Sequence, residues 1–396
     1  MAEFWQDPYT LSVLIFIAFL AVLVYKDKKK FKRDSIILLR RTQRGRKTIV
    51  KLAESHPTFW KSVGLLGVFT GFAASAFIVK FFIELLFRNA QGLASGGSAV
   101  PSLSFVLPTL SSTASSTPGL FLVPFWYWII SIAILVVVHE GLHGVMSAVE
   151  KVKIKSLGWG LLLVIPLAFV EPDEKKLVKK SFWAQQRIFA AGSFANFITA
   201  VVSILLLSGL VTATLQPAGI AFASVAVGSP AQLANITGII TSINGMDVST
   251  LGELATALEK TGPNKEAIVI TRTMPKSIQK ETEAENSYTL ITIENPDQPS
   301  KGFLGIQGVS EAQEVKSGFL PYSEPLFFIQ GLLFFLFMIN LGVGMANLLP
   351  IKPLDGGRMW ETVFFSISKK HGKKITSVVS YLTLFLIIIN FVMPLL

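Results

Sequence analysis

Residues 128–149 read WIISIAILVVVHEGLHGVMSAV. With the apolar residues before it from Phe121, this stretch exceeds the roughly 18 residues that cross a hydrocarbon core as a helix. In lipid every backbone polar group must be paired within the chain, so a helix is expected here. The run is nevertheless interrupted by His139, Glu140 and His143. On a helix, positions i and i+4 lie on one face, a turn apart. Two imidazoles at that spacing can share one metal ion. The glutamate between them projects beside the metal, placed to take a proton from a water. A chance HExxH in a chain of this length has odds on the order of one in a hundred. Ionisable side chains within a membrane are costly and by default mark a functional site. The bland alternative is a polar cluster that glues helices together. It requires neither this spacing nor a glutamate between two histidines.

Working outward, apolar runs recur at Leu11–Tyr25, Val63–Phe87, Arg187–Leu215, Pro325–Leu349 and Ile375–Leu396, so six spans are expected. The chain is 51% hydrophobic and 15% charged, against roughly a quarter charged in soluble domains. That excludes a soluble globule. There is no cysteine, which excludes disulfides, thiolate metal sites and cysteine nucleophiles. The 14 residues Leu157–Val170 contain Gly158, Gly160 and Pro166. They are too short to cross as a helix and are read as a re-entrant segment, tolerated where buried in protein or lining a cavity. Residues 89–119, rich in Ser, Gly, Thr and Pro, are expected to form an outer loop with little structure of its own. Lys80 and Glu84, four apart in the second span, are read as an ion pair near a helix end.

The formal net charge of +11 is concentrated in blocks. Residues 26–61 hold thirteen Lys or Arg, 150–187 hold eight and 352–374 hold six, whereas 88–119 hold only Arg88. Basic loops stay cytoplasmic. With six spans and an outside N-terminus, all three blocks fall on the cytoplasmic side, and residues 218–320 fall outside. The charge thus reports orientation and contact with anionic lipid. Nucleic-acid binding finds no aromatic-basic interleaving to support it. Counting from Phe121, His139 lies 18 residues into its span, roughly 27 Å at 1.5 Å per residue, which puts the site nearer the inside.

A hydrolytic zinc site keeps three protein ligands and one open position. Two histidines leave one ligand to find. His56 and His371 lie in basic aqueous segments. Asp355, in NLLPIKPLDGGRM, follows an apolar span broken by Pro350 and Pro353 and bends at Gly356 and Gly357. It can reach a neighbouring helix as a ligand, or it can cap a helix N-terminus. Glu171 is the next candidate.

HEGLH in a membrane span, followed far downstream by NLLPIKPLDGG, resembles the site-2 protease family of intramembrane metalloproteases (peptidase family M50). RIFAAGSFANF, Arg187 to Phe197, resembles that family's Gly-Ser/Pro and Asn element. The resemblance covers roughly residues 120–396; the first 119 match only in general character. It implies that His139, His143 and Asp355 bind Zn2+ and that Glu140 activates water. It further implies that Asn196 orients substrate or stabilises the oxyanion, with an interhelical amide contact the competing reading.

Residues 225–258, VAVGSPAQLANITGIITSINGMDVSTLGELATAL, resemble a PDZ domain of membrane-associated proteases, with GFLGIQ at 302–307 as its closing strand. Residues 275–300 would be an enlarged loop. Thr241 stands where the aspartate of that pattern is more usual, which puts peptide affinity in doubt. Such a domain binds by adding a peptide strand to a sheet edge.

The expected fold is therefore an all-α polytopic membrane protein of about six transmembrane helices plus a re-entrant segment, with an inserted α+β PDZ-like domain. The divisions are an N-terminal membrane region (1–119), the first part of the catalytic core (120–217), the PDZ-like domain (218–320) and the second part of the core (321–396). The expected function is hydrolysis of peptide bonds in or near transmembrane segments of membrane proteins, as part of regulated intramembrane proteolysis. The expected location is the cell membrane, with the PDZ-like domain extracytoplasmic. The partners are membrane-protein substrates, the bilayer and a peptide or C-terminus at the PDZ-like domain. The alternative is a catalytically silent scaffold that binds peptides through that domain. A zinc transporter would need more intramembrane carboxylates and histidines.

Overall fold

The computed structural model describes residues 7–34, 37–96, 99, 104–162, 165–273 and 285–395. The first half of the chain runs α1 (Pro8–Lys26), β1 (Lys32–Asp34), β2 (Ile37–Thr42), α2 (Arg46–Ser55), α3 (Pro57–Ala94), β3 (Phe105–Thr109), β4 (Ser115–Thr117), β5 (Leu120–Pro124), α4 (Phe125–Val149), β6 (Ile154–Leu162), β7 (Ile165–Pro172), α5 (Glu174–Leu177) and α6 (Phe182–Thr214). An inserted region follows: β8 (Leu215–Ala221), β9 (Ser224–Val225), α7 (Pro230–Leu233), β10 (Ile239–Ile243), β11 (Met246–Asp247), α8 (Leu251–Thr261), β12 (Glu266–Arg272), β13 (Glu285–Ile291), β14 (Ile293–Glu294), β15 (Gly302–Phe303), β16 (Ile306–Gln307) and β17 (Ser310–Val315). The chain ends with α9 (Ser323–Asn347), α10 (Asp355–Ile367) and α11 (Gly372–Val392). Two compact units result, one of residues 1–207 and 328–396, the other of residues 208–327.

Among the described residues, six helices are long and apolar enough to cross a membrane: α1, α3, α4, α6, α9 with the short turn before it, and α11. The protein is a multi-pass membrane protein. Span boundaries shift in places. α3 is 38 residues long, well beyond the apolar run that announced it. α4 starts at Phe125 because residues 120–124 are strand β5. His139 is therefore 139 − 125 = 14 residues into its helix, roughly 21 Å, rather than 18. The expected Lys80–Glu84 pair forms, at 3.3 Å.

The first 119 residues are more than additional spans. α3 buries Gly64, Gly67, Gly71 and Ser75 along one face. A Cβ on Gly64 would lie 2.9 Å from Met146 Sδ, one on Gly67 3.2 Å from the Phe194 side chain, and one on Gly71 3.0 Å from Met359 Cε. Small residues let backbones approach closely, the usual source of helix association in lipid. Trp360 Nε1 donates to Ser75 Oγ at 2.9 Å, one turn further along. α3 therefore packs against α4, α6 and α10 together. Met146, Ile188, Phe189, Leu348 and Met359 share one core with Val68 of α3.

The expectation of an all-α membrane region is corrected by two sheets. Leu157–Val170, expected as a re-entrant segment in an all-α region, is not helical. Its described residues belong to the antiparallel hairpin β6–β7, which β2 and β1 extend into a four-stranded sheet in the order β1-β2-β6-β7. Residues 163 and 164 lie outside the described residues. The physical reason is backbone satisfaction. A segment too short to span as a helix pairs its amides with a neighbouring strand instead, here Ile37–Thr42 against Leu157–Leu162. The glycines are required by that approach: a Cβ on Gly158 would overlap the Phe169 ring, and one on Gly160 the carbonyl of Leu38. Residues 89–119 are likewise not structureless. Their described part contributes β3 and β4 to a three-stranded sheet with β5.

The second unit has a sheet ordered β13-β12-β10-β8-β17, with β11 paired to β10. Its core includes Ile220, Ile240, Ile243, Val269 and Leu304. The Asn-Gly pair predicts a tight hairpin turn, and Asn244 and Gly245 adopt φ of 51° and 75° between β10 and β11. Ser229 caps α7. Gly305, at φ +86°, leaves the space that the Ser229 side chain fills. Thr250 and Glu253 form a reciprocal capping box on α8. Of the expected enlarged loop, residues 275–284 lie outside the described residues.

Candidate metal centre

The site is assembled by α4, α6 and the start of α10. His139 and His143 project from one face of α4, their ring centroids 4.8 Å apart. Asp355 is the first residue of α10, where the helix dipole favours an anion. Its two following glycines explain how it arrives there. Any side chain at Gly356 would strike the backbone of Leu348 and Leu349, and any at Gly357 that of Ile351 and Lys352. The first turn of α10 therefore packs directly onto the NLLPIKP loop. That loop is itself tied down by Ser380 Oγ, which donates to Pro350 O at 3.1 Å.

Asp355 Oδ2 lies 3.3 Å from His139 Nε2 and 3.2 Å from His143 Nε2. The two Nε2 atoms are 3.3 Å apart. All three ligand atoms fall within 4.8 Å of one another, the one such group of three or more His or acidic residues among the described residues. Two imidazole nitrogens and one carboxylate oxygen are the donor set of a hydrolytic zinc centre, which leaves one position open. The fit extends to the space provided. Gly192 of α6 faces the cluster, and a Cβ there would overlap Nε2 of both His139 and His143. His143 Nδ1 lies 2.7 Å from Ile188 O, so the proton of that ring is held away from the cluster.

A cavity of about 380 Å³ opens onto the centre, lined by Glu140, His143, Phe169, Val170, Ile188 and Asp355 among others. His139 sits behind it as the deeper residue. Glu140 is anchored by Val170, whose backbone N–H donates to Glu140 Oε2 at 2.9 Å. The sequence-level candidates separate clearly. His139, His143 and Asp355 converge, and Glu140 lines the same cavity. Asn196 lies behind His139, Nδ2 3.1 Å from His139 Nδ1. Glu171 lines the cavity but turns to Ser156, whose hydroxyl donates to Oε2 at 2.6 Å. That bond, opposed by desolvation and aided by Arg41, holds the Glu171 carboxyl below its ordinary range. His56 and His371 stand at the starts of α3 and α11.

Three contributors escaped sequence reasoning: the Val170 N–H, the Ile188 carbonyl and the void at Gly192. The first two are backbone groups with no residue signature. The third had one visible trace, the glycine of AAGSFAN.

The model of Peptidase family M50 matches residues 127–390 of this chain. The chain belongs to peptidase family M50. The matched segment contains all three ligand candidates, Glu140 and Asn196. The chain is also 27% identical over 365 residues to an uncharacterized protein of Methanocaldococcus jannaschii, MJ0971, covering 89% of this chain and 87% of that one. It is 24% identical over 241 residues to the zinc metalloprotease RasP of Shouchella clausii, covering 51% of this chain and 55% of RasP.

Proposed function

We propose that this M50 member is a zinc-dependent endopeptidase that cuts other membrane proteins in or beside their transmembrane segments. The observation that carries the reading is the convergence of His139, His143 and Asp355 within 4.8 Å, with Glu140 on the wall of the same cavity. Family membership and likeness to a zinc metalloprotease support it. When bound, zinc polarises the scissile carbonyl and acidifies a water. Glu140 holds the proton taken from the attacking water and passes it to the departing amine nitrogen. Its anchor on Val170 fixes one carboxylate oxygen and so fixes the direction of the transfer.

A helical substrate hides its carbonyls, so the reading requires local unwinding. The β6–β7 hairpin supports an extended substrate. β7 is an edge strand, and Val170 turns its N–H outward, away from β6, to Glu140. Alternation along an antiparallel strand puts the N–H and C=O of Ala168 on that same edge. A substrate strand paired there would run past Glu140.

The proposal includes a role in regulated intramembrane proteolysis, in which a first cut elsewhere removes a substrate's outer domain. Residues 218–320 would serve as a PDZ-like domain on the extracytoplasmic side, blocking bulky substrates or holding a newly exposed C-terminus. The six apolar spans and the placement of the basic blocks support that sidedness.

The test uses purified full-length protein and a model membrane substrate. Glu140→Gln is expected to keep zinc and lose at least about 100-fold in cleavage, the scale of a general base. Asp355→Ala is expected to lose both zinc and cleavage. Near wild-type cleavage by Glu140→Gln would sink the assignment of the base.

A further inference from the structure

His139 and His143 can bind a metal only through ring nitrogens that carry no proton. At His139 that atom is Nε2, which faces both His143 Nε2 and Asp355 Oδ2 at 3.3 Å. A neutral imidazole has one N–H and one lone pair. The proton therefore sits on Nδ1, and Nδ1 must donate. His143 meets this requirement with the Ile188 carbonyl at 2.7 Å. At His139 the neighbour is the Asn196 amide, with Nδ2 at 3.1 Å from Nδ1. Two N–H donors cannot usefully face each other. The other amide atom, Oδ1, is buried and has no hydrogen-bond partner among the described residues. A half-turn about the last side-chain bond exchanges these two atoms, whose positions are nearly equivalent. It breaks no hydrogen bond of Oδ1.

We infer that Asn196 presents Oδ1 to His139, accepts the Nδ1–H, and so holds the ring in the tautomer that leaves Nε2 free for the metal. The inference rests on the reading of His139, His143 and Asp355 as zinc ligands. It makes Asn196 a positioning residue that acts through His139, in place of the contact with substrate or oxyanion that the sequence resemblance implied. The placement has a simple structural logic. Ile188, Gly192 and Asn196 are spaced four apart, one face of α6 over two turns. The outer two hold the two histidine N–H groups, and the middle one leaves room for the ligand atoms. Asn196 is fully buried, so bulk water cannot replace it as acceptor.

Two substitutions of similar shape separate this role from packing. In Asn196→Asp the carboxylate still accepts; in Asn196→Leu nothing does. Zinc affinity is measured by chelator competition on the full chain in detergent. Asn196→Leu is expected to lower affinity by about 10–100-fold, the usual effect of losing such a support, and Asn196→Asp to keep wild-type affinity or exceed it. Wild-type affinity in the Leu variant, or an Asp variant as weak as Leu, would overturn the inference. Saturating zinc is expected to restore cleavage by the Leu variant. Cleavage still lost at full zinc occupancy would move Asn196 onto the substrate and overturn it too. A measurement on the unmutated protein does not depend on variant folding. Imidazole 15N shifts of the zinc-loaded chain are expected to place the N–H of both bound rings at Nδ1, and an Nε2–H ring would refute the assignment. A wild-type chain that binds no zinc would instead overturn the metal reading beneath it.

Discussion

At Gly192 a single hydrogen atom in place of a side chain sets how closely α6 approaches the two histidines of α4. A methyl there overlaps both Nε2 atoms, so Gly192→Ala is expected to displace them. Zinc retained through purification should fall on the order of tenfold or more, the scale of lost ligand support, and cleavage should fall with it. Gly141, within HEGLH itself, has nothing within 4 Å of the corresponding position. Gly141→Ala is the control and should leave zinc content unchanged; equal losses in the two variants would refute the steric argument. His139, Glu140 and His143 were legible in the sequence because helix geometry turns i, i+4 spacing into proximity. Asp355 was legible only in part: elimination of other ligands pointed to it, but capping remained open. Gly192 left only the glycine of AAGSFAN as a trace, because its constraint comes from His143 and His139, 192 − 143 = 49 and 192 − 139 = 53 residues earlier, and the local sequence does not say what that glycine faces.

The hairpin β6–β7 is the element where sequence and structure part most. Length alone excluded a spanning helix for Leu157–Val170. The segment's partner, Ile37–Thr42, lies more than a hundred residues earlier, so strand pairing left no local trace. The expectation at this element concerns the Val170 N–H. A proline on an edge strand is tolerated where the N–H points away from the sheet. Val170→Pro should therefore preserve the hairpin while removing the donor to Glu140. Hydrogen bonds to charged groups contribute about 1.5–3 kcal/mol, which at about 1.4 kcal/mol per decade predicts cleavage reduced by about 10–100-fold. Zinc content should not change. Normal cleavage by a folded Val170→Pro would show that Glu140 needs no anchor.

On the scale of the whole molecule, the six spans and the blocks of positive charge make a sidedness prediction. The chain has no cysteine, so single cysteines can be introduced without background. Gln298, in the inserted unit, and Lys370, before α11, are both exposed. In intact cells a membrane-impermeant thiol reagent should label Gln298→Cys and spare Lys370→Cys. The reverse pattern would invert the topology and with it any role as an outer filter. If the topology holds, replacing residues 218–320 by a short linker should increase cleavage of substrates that still carry an outer domain. The number of spans was legible because hydrophobic length is a one-dimensional property. The sheets were not, since pairing is a relation between distant segments.

The glycine face of α3 bears on what a minimal version of this protein would be. The segment matched by the family model, residues 127–390, contains every proposed ligand and the proposed base, yet α3 lies wholly before it. Met146, Phe194 and Met359, the side chains that settle against Gly64, Gly67 and Gly71, each stand within about one turn of His143, Asn196 or Asp355. α3 is thus a splint laid across the three helices that must stay in register for the metal to be held. A chain pared down to the matched segment would carry all of the chemistry with nothing to clamp it, and loss of metal, rather than loss of fold, is the first failure it should show.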